Sequence, residues 1–354
     1  MTRPLLTKLK IALKRILGKC VYNWIYSKKQ IQKIWNTPKS DLLSKKTGKN
    51  LITFAFNRWK TCSLIIFCLL NIYYGIGAFV CSKIDNRLNL EIKTDIPQTN
   101  VLSALEFTLR AQIDNTPWTP ALPALFPASV LDNLPNFQIG AKNTVSYFIR
   151  YYAKSYQSDR LHKARELLNY PEDIWLFSQT KQDTFAPGSA KQYHKALAEI
   201  ENFINKDFLS QQAKMPPLSE LLKIIDKRLS TQISEINAYT REHSSEFLDL
   251  KTDDLFYKIQ GSTYVIHYLL SGAVKDYQSE IVATEQYENI TTALKFLSDA
   301  VKLNPFKVKS TALNDSYGAN HLIYLGYYLL QAESYLKDMR YALEQNRKEI
   351  PHED

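Results

Sequence analysis

Asn320 and His321 are the most chemically suggestive pair in the chain: an imidazole that titrates near neutral pH beside a carboxamide, shortly after Asp315, Ser316, Tyr317 and Gly318. With Asp132 and Asn133 they could assemble a polar pocket for hydrolysis or transfer on an envelope glycan or lipid. The same residue types also suit structure. Asp132, Asn133 and Asn136 surround Leu134 and Pro135; Asx side chains favour turns and helix N-caps, and proline fixes the chain between them. His321 can lock two helices through one buried hydrogen bond, because buried polar groups need partners whether or not they meet a ligand. Asp132, Asn133, Asn136, Asn320 and His321 are therefore binding candidates, with no catalytic residue assigned. The structural reading predicts that Asn320 and His321 join the last helix to the Pro-rich segment 114–136.

Local signatures of other chemistry are missing from the sequence. The ten glycines are scattered and form no phosphate loop; there is no G-x-S-x-G, no H-E-x-x-H and no calcium-loop spacing. No two of the six histidines stand three or four residues apart, and no C-x-x-C occurs, so neither metal nor cofactor is expected. His267, in an apolar helical stretch, reads as a core residue with its hydrogen bonds satisfied. Glu199/Glu201 and Asp253/Asp254 read as solvated-face or helix-start acids. Tyr147, Tyr151, Tyr152, Tyr324, Tyr327, Tyr328 and Tyr335 recur at helical steps and read as core with hydroxyls at the rim, a glycan platform being the alternative. Trp118 and Phe126 either plug the Pro-rich segment into the domain or give it a lipid- or protein-facing edge. The sequons at Asn289 and Asn314 are read as chance.

Charge organises the chain on a larger scale. Residues 61–82 carry no charged side chain. Before them lie fifteen Lys/Arg and one acid, Asp41; after them lie 30 basic and 34 acidic residues. Twenty-two helical residues reach about 33 Å, enough for a hydrocarbon core of about 30 Å. Lys and Arg resist transfer across a membrane, so the basic side is predicted to be cytoplasmic. Asn71, Gly75 and Gly77 would allow a helix dimer, but a lone Asn is also tolerated in a monomeric anchor; the oligomeric state stays open. The four cysteines all precede residue 83, so no disulfide can staple the outer part.

Residues 4–26 show a basic amphipathic helical pattern that suits an anionic leaflet, with a helix docking on a protein and a solvated arm as alternatives. Residues 37–50 read as a polar linker and 51–56 as an interfacial lead-in. The basic surplus lies in this arm and on no folded face, so no nucleic-acid partner is expected.

Beyond the span, an extended connector is predicted over 83–98. A helical stripe of Val101, Leu102, Leu105, Leu109 and Ile113 follows, and then helices over about 137–156, 160–169, 188–208, 217–240, 252–284, 286–302 and 318–346. Five prolines in 114–136 exclude a continuous helix there. The fold class is all-α: a single N-terminal transmembrane helix followed by an antiparallel helical periplasmic domain. The domains are 1–60, a basic cytoplasmic arm; 61–82, the transmembrane helix; 83–98, the connector; 99–346, the helical domain; and 347–354, a tail.

Three segments carry a family resemblance. They are Leu131 to Phe137 (LDNLPNF) with Gly140 and a helix ending at Ser155 to Ser158 (SYQS); Phe256, Tyr257 and Gly261; and Leu313, Asn314, then Gly318 to His321 (GANH) opening a helix with Asp338 and Arg340 near its end. Over about 95–345 the chain resembles the uncharacterised bacterial inner-membrane proteins grouped as domain of unknown function 2333. It departs from their pattern where Phe137 and Gln138 stand for Trp-Glu and Asp315 for Gly. The resemblance implies a Gram-negative inner-membrane protein with a periplasmic domain and brings no activity. The leading reading is a binding or scaffolding component of the cell envelope, whose partners are the bilayer, through the span and the basic arm, and an envelope protein. The alternative is the glycan or lipid hydrolase or transferase built on the dispersed polar residues.

Overall fold

A computed structural model describes residues 59, 63–77, 83–88, 92, 94, 96–123, 125–129, 132–179, 185–210, 215–242, 251–305 and 321–349. The amphipathic arm, the linker, the lead-in, Asn314 and Asn320 lie outside these residues. The chain divides into two compact units, Met1–Ile72 and Tyr73–Asp354.

In the first unit the described residues are helical. The helical residues 63–72 belong to this unit, residues 73–77 of the same helix to the second, and the apolar side chains from Leu64 to Ile72 are exposed. Asn71 resolves its own polarity: its amide donates to the Phe67 carbonyl one turn back, at 2.7 Å. Among the described residues no helix is long and apolar enough to cross a membrane. Residues 61, 62 and 78–82 of the uncharged stretch lie outside them.

The second unit is almost entirely helical. Its elements are α1 (Asn100–Ile113), α2 (Asn133–Ser155), α3 (Asp159–Leu168), a hairpin of β1 (Phe177–Gln179) and β2 (Phe185–Pro187), α4 (Ser189–Asn202), α5 (Leu218–Glu242), α6 (Lys251–Asp276), α7 (Gln278–Ala283), α8 (Tyr287–Lys302) and α9 (His321–Glu349). The predicted helices therefore form, with three differences. The hairpin is too short to show alternation in the sequence. The single helix expected over 252–284 breaks at Tyr277, which sits between α6 and α7 with its hydroxyl on the Pro216 carbonyl at 2.6 Å. And α2 begins at Asn133, earlier than the expected start at 137, because Pro135 falls in the first turn, where a missing N–H removes no helical bond.

Helix ends follow local chemistry. Gln157 takes φ 49° after α2, while Ser158 N–H bonds the Ala153 carbonyl and Gln157 N–H bonds that of Lys154. That pair of bonds is the left-handed stop normally made by glycine. Ser158 then caps α3, its hydroxyl accepting from Leu161 N–H at 3.3 Å. After Asn202, α4 continues through one wider turn, Phe203–Asp207, in which Phe208 N–H bonds the Phe203 carbonyl. This turn carries Phe203 and Phe208 onto one face, against Tyr156 at 5.4 and 5.8 Å between ring centres.

One connected core runs through the second unit. Its centre is α6, buried on nearly every side and packed against α1, α2 and α8. Pairs α3–α4 and α5–α9 pack on each other around it, and α9 also lies along α8. The connector is part of this body. Ile84, Leu88, Ile92 and Ile96 pack on the core. Asn86 donates to the Val301 carbonyl and Tyr268 to that of Arg87, both at 2.8 Å.

Candidate functional site

Asp132, Asn133 and Asn136 meet at the start of α2. Asp132 holds the N-cap position without a side-chain capping bond. Asn136 donates to the Asp132 carbonyl at 2.9 Å and to the Asp254 carboxylate, in the first turn of α6, at 2.6 Å. Asn136 therefore ties two helix starts together. His321 opens α9, which packs along α5 and α8.

The Pro-rich segment is held by Trp118 and by Gln138, which the sequence marked only as a departure from the resembled pattern. Gln138 is fully buried. Its Oε1 accepts from Thr119 N–H at 3.0 Å and from the Thr119 hydroxyl at 2.5 Å. Its Nε2 faces the carbonyls of Gln112 and Pro117 at 2.9 and 3.0 Å and the Thr116 hydroxyl at 3.1 Å. The partners settle which end is nitrogen: a backbone N–H needs an acceptor, and two carbonyls need a donor. Trp118 is the plug among the readings offered for it, buried against Tyr193, with its indole N–H on the Glu172 carbonyl at 2.8 Å. Phe126 stays half-buried against Trp175. A departure from the resembled pattern at 138 was the only signal that pointed to this position.

Three further polar groups lie inside the helix array. Asp276, ending α6, accepts from the N–H of Asn100 and Val101 at 3.1 and 2.9 Å and from the Asn100 amide at 2.7 Å. It thus caps α1 from another helix, and burial pushes its carboxyl pKa up. Lys142 is buried, bonded to Glu172 at 2.8 Å and to the Leu168 carbonyl at 3.2 Å, and desolvation lowers its pKa. Thr144 donates to Ser262 across α2 and α6 at 2.6 Å, and Arg228 of α5 donates to Thr144 at 3.1 Å over the Tyr147 ring.

Several other charges are paired across elements. Glu199 meets Arg160 and Lys163, and Glu201 meets Arg110, so these acids are ion-pair partners more than a solvated face. Between α5 and α9, Asp226 meets Arg340 at 3.0 Å and Lys337 at 3.5 Å, and Lys337 meets Glu333 at 3.0 Å. His267 differs from its expected satisfied state: Nδ1 makes no hydrogen bond to the described residues, and burial lowers the imidazole pKa to about 4. Of the tyrosines, Tyr152 is core and Tyr335 stacks on Phe296, while Tyr324 and Tyr327 are half exposed. A cavity of ≈ 90 Å³ between the connector and α6, lined by Leu88, Ile92, Tyr268 and Lys275 among others, has room for little more than water. Among the described residues no group of His, Cys, Asp and Glu could hold a metal ion.

The class defined by this geometry is an all-helical domain whose buried polar side chains bond helix to helix. The chain matches no family model, no curated protein and no solved structure.

Proposed function

We propose that this chain is a single-pass protein of the bacterial inner membrane, with a cytoplasmic N-terminus and a periplasmic helical domain that binds or scaffolds another envelope component. The observation that carries the reading is the uncharged stretch 61–82 behind fifteen basic residues, with 34 acidic against 30 basic residues after it. The exposed apolar face of helix 63–77 and the bond that closes Asn71 onto its own helix support it. The resemblance of the three segments named above points the same way. Binding is favoured over catalysis because the sequence carries no catalytic signature of the kinds sought, neither G-x-S-x-G nor H-E-x-x-H. The bilayer is then one partner, through the span and the basic arm, and an envelope protein the other.

The test is a pair of C-terminal fusions in cells. A reporter active only in the periplasm should light up, and one active only in the cytoplasm should stay silent; the opposite pattern rejects the topology. Crosslinking of the intact protein in cells should then capture a discrete envelope protein. Turnover of isolated glycan or lipid by the purified chain would instead favour the hydrolase or transferase reading.

A further inference from the structure

The second unit carries an apolar face built from three separate parts of the chain. Leu125 is 72% exposed, Leu176 57%, Ile76 61%, Tyr73 47% and Trp175 45%. Large apolar side chains at such exposure, grouped together, mark an interaction site. Contacts join them. The Tyr73 hydroxyl donates to the Leu125 carbonyl at 3.2 Å. Gly77 presses on the Pro127 ring, leaving no room for a Cβ. Phe126 and Trp175 meet edge to face at 5.6 Å. The Pro-rich tip, the segment before the hairpin and residues 73–77 thus form one surface.

We infer that this face, Leu125, Phe126, Trp175 and Leu176, lies in the outer leaflet of the bilayer. The inference rests on the membrane reading above. The occupant follows from continuity. Tyr73 to Gly77 belong to a sequence that stays uncharged to Ser82, so they fall within the outer part of the proposed span. Side chains that touch Tyr73 to Gly77 therefore lie below the outer headgroups, among the upper acyl chains. Trp and Tyr are enriched at the adjoining interface, because each has an apolar ring and a polar atom. The Leu125 carbonyl, which would be costly unpaired beside lipid, is paired with Tyr73. Trp118 and Gln138 anchor the base of the same loop in the domain, so its tip is presented from a fixed mount.

The test uses the full chain with Cys20, Cys62, Cys68 and Cys81 changed to Ser, reconstituted in phosphatidylethanolamine–phosphatidylglycerol vesicles. An environment-sensitive fluorophore is attached to Leu125→Cys or Leu176→Cys, and to Leu209→Cys as a control at a residue 60% exposed. Lipids with a nitroxide high on the acyl chain should quench the first two at least twofold more than the control, and aqueous iodide should quench them less. If both are as open to iodide as position 209 while the protein resists alkaline carbonate, the inference falls and the membrane reading stands. If carbonate strips the protein from the vesicles, both fall. A face that serves a protein partner would leave the two probes in water here and likewise overturn the inference.

Discussion

Gly140 and Gly261 face one another's helices at the crossing of α2 and α6 in a reciprocal way. A Cβ on Gly140 would lie 1.9 Å from the Lys258 carbonyl oxygen, and a Cβ on Gly261 would lie 2.1 Å from that of Phe137. Each glycine thus meets the carbonyl three residues before the other, and backbone approaches backbone where a side chain would otherwise stand. Gly140→Ala and Gly261→Ala should each lower stability by about 1–3 kcal/mol or more, because overpacking outweighs the gain of about 1 kcal/mol in helix propensity. Gly326→Ala is the contrast. Its nearest neighbour is the movable Ile236 side chain at 3.3 Å, and it should shift the urea midpoint far less. Equal effects at all three positions would refute the crossing argument.

Gln138→Glu should be strongly destabilising although it is nearly isosteric. A carboxylate oxygen in place of Nε2 would face the carbonyls of Gln112 and Pro117, at a cost of about 3 kcal/mol at pH 7. That burial raises the carboxyl pKa in the folded state. The deficit relative to wild type is therefore present at neutral pH and shrinks as the pH falls through the folded pKa towards the ordinary glutamate value. Urea titrations at pH 7 and pH 4 would show it, and a deficit that does not change with pH would contradict the geometry.

His267 should make the domain acid-sensitive. Its imidazole stays neutral in the fold down to about pH 4, whereas the unfolded chain takes up the proton near pH 6.5. Above that value both states are neutral and nothing is gained or lost. Between about pH 6.5 and 4 the unfolded state binds the extra proton and stability falls, by up to about 3 kcal/mol. His267→Gln should flatten this part of the pH–stability curve. A variant curve parallel to wild type would exclude the imidazole as the source. Asp276, whose raised pKa acts in the opposite direction, is common to both proteins and drops out of the comparison.

The pair Asp226–Arg340 should show coupling between α5 and α9. Both side chains are largely buried, at 14% and 17% exposure. Arg340→Leu leaves the Asp226 carboxylate with only the more distant Lys337 and should cost about 3 kcal/mol; adding Asp226→Leu should recover most of it. A double-mutant cycle by chemical denaturation should give a coupling of about 1–3 kcal/mol. Additive losses would mean that the pair does not act as a unit.

The helices of this protein were legible in its sequence because helix formation is decided by neighbours three and four residues apart. The stripes of α1 and α5 and the prolines of 114–136 could be read directly. So could the lopsided charge around 61–82, which carries the proposed topology without any coordinates. The structural role of Asn136 was half visible: a turn residue by type, but tied to Asp254, 118 residues on. Gln138 could not be read as a hub, because each of its partners lies between 19 and 26 residues away. Gly140 and Gly261 appeared only as isolated glycines until α2 and α6 crossed over them. That Nδ1 of His267 meets no partner among the described residues was equally hidden, since periodicity tells which face is buried and not what it is buried against. Tertiary packing alone decides which distant polar atoms meet, because that depends on how whole helix faces settle together, and no window of neighbouring residues contains it.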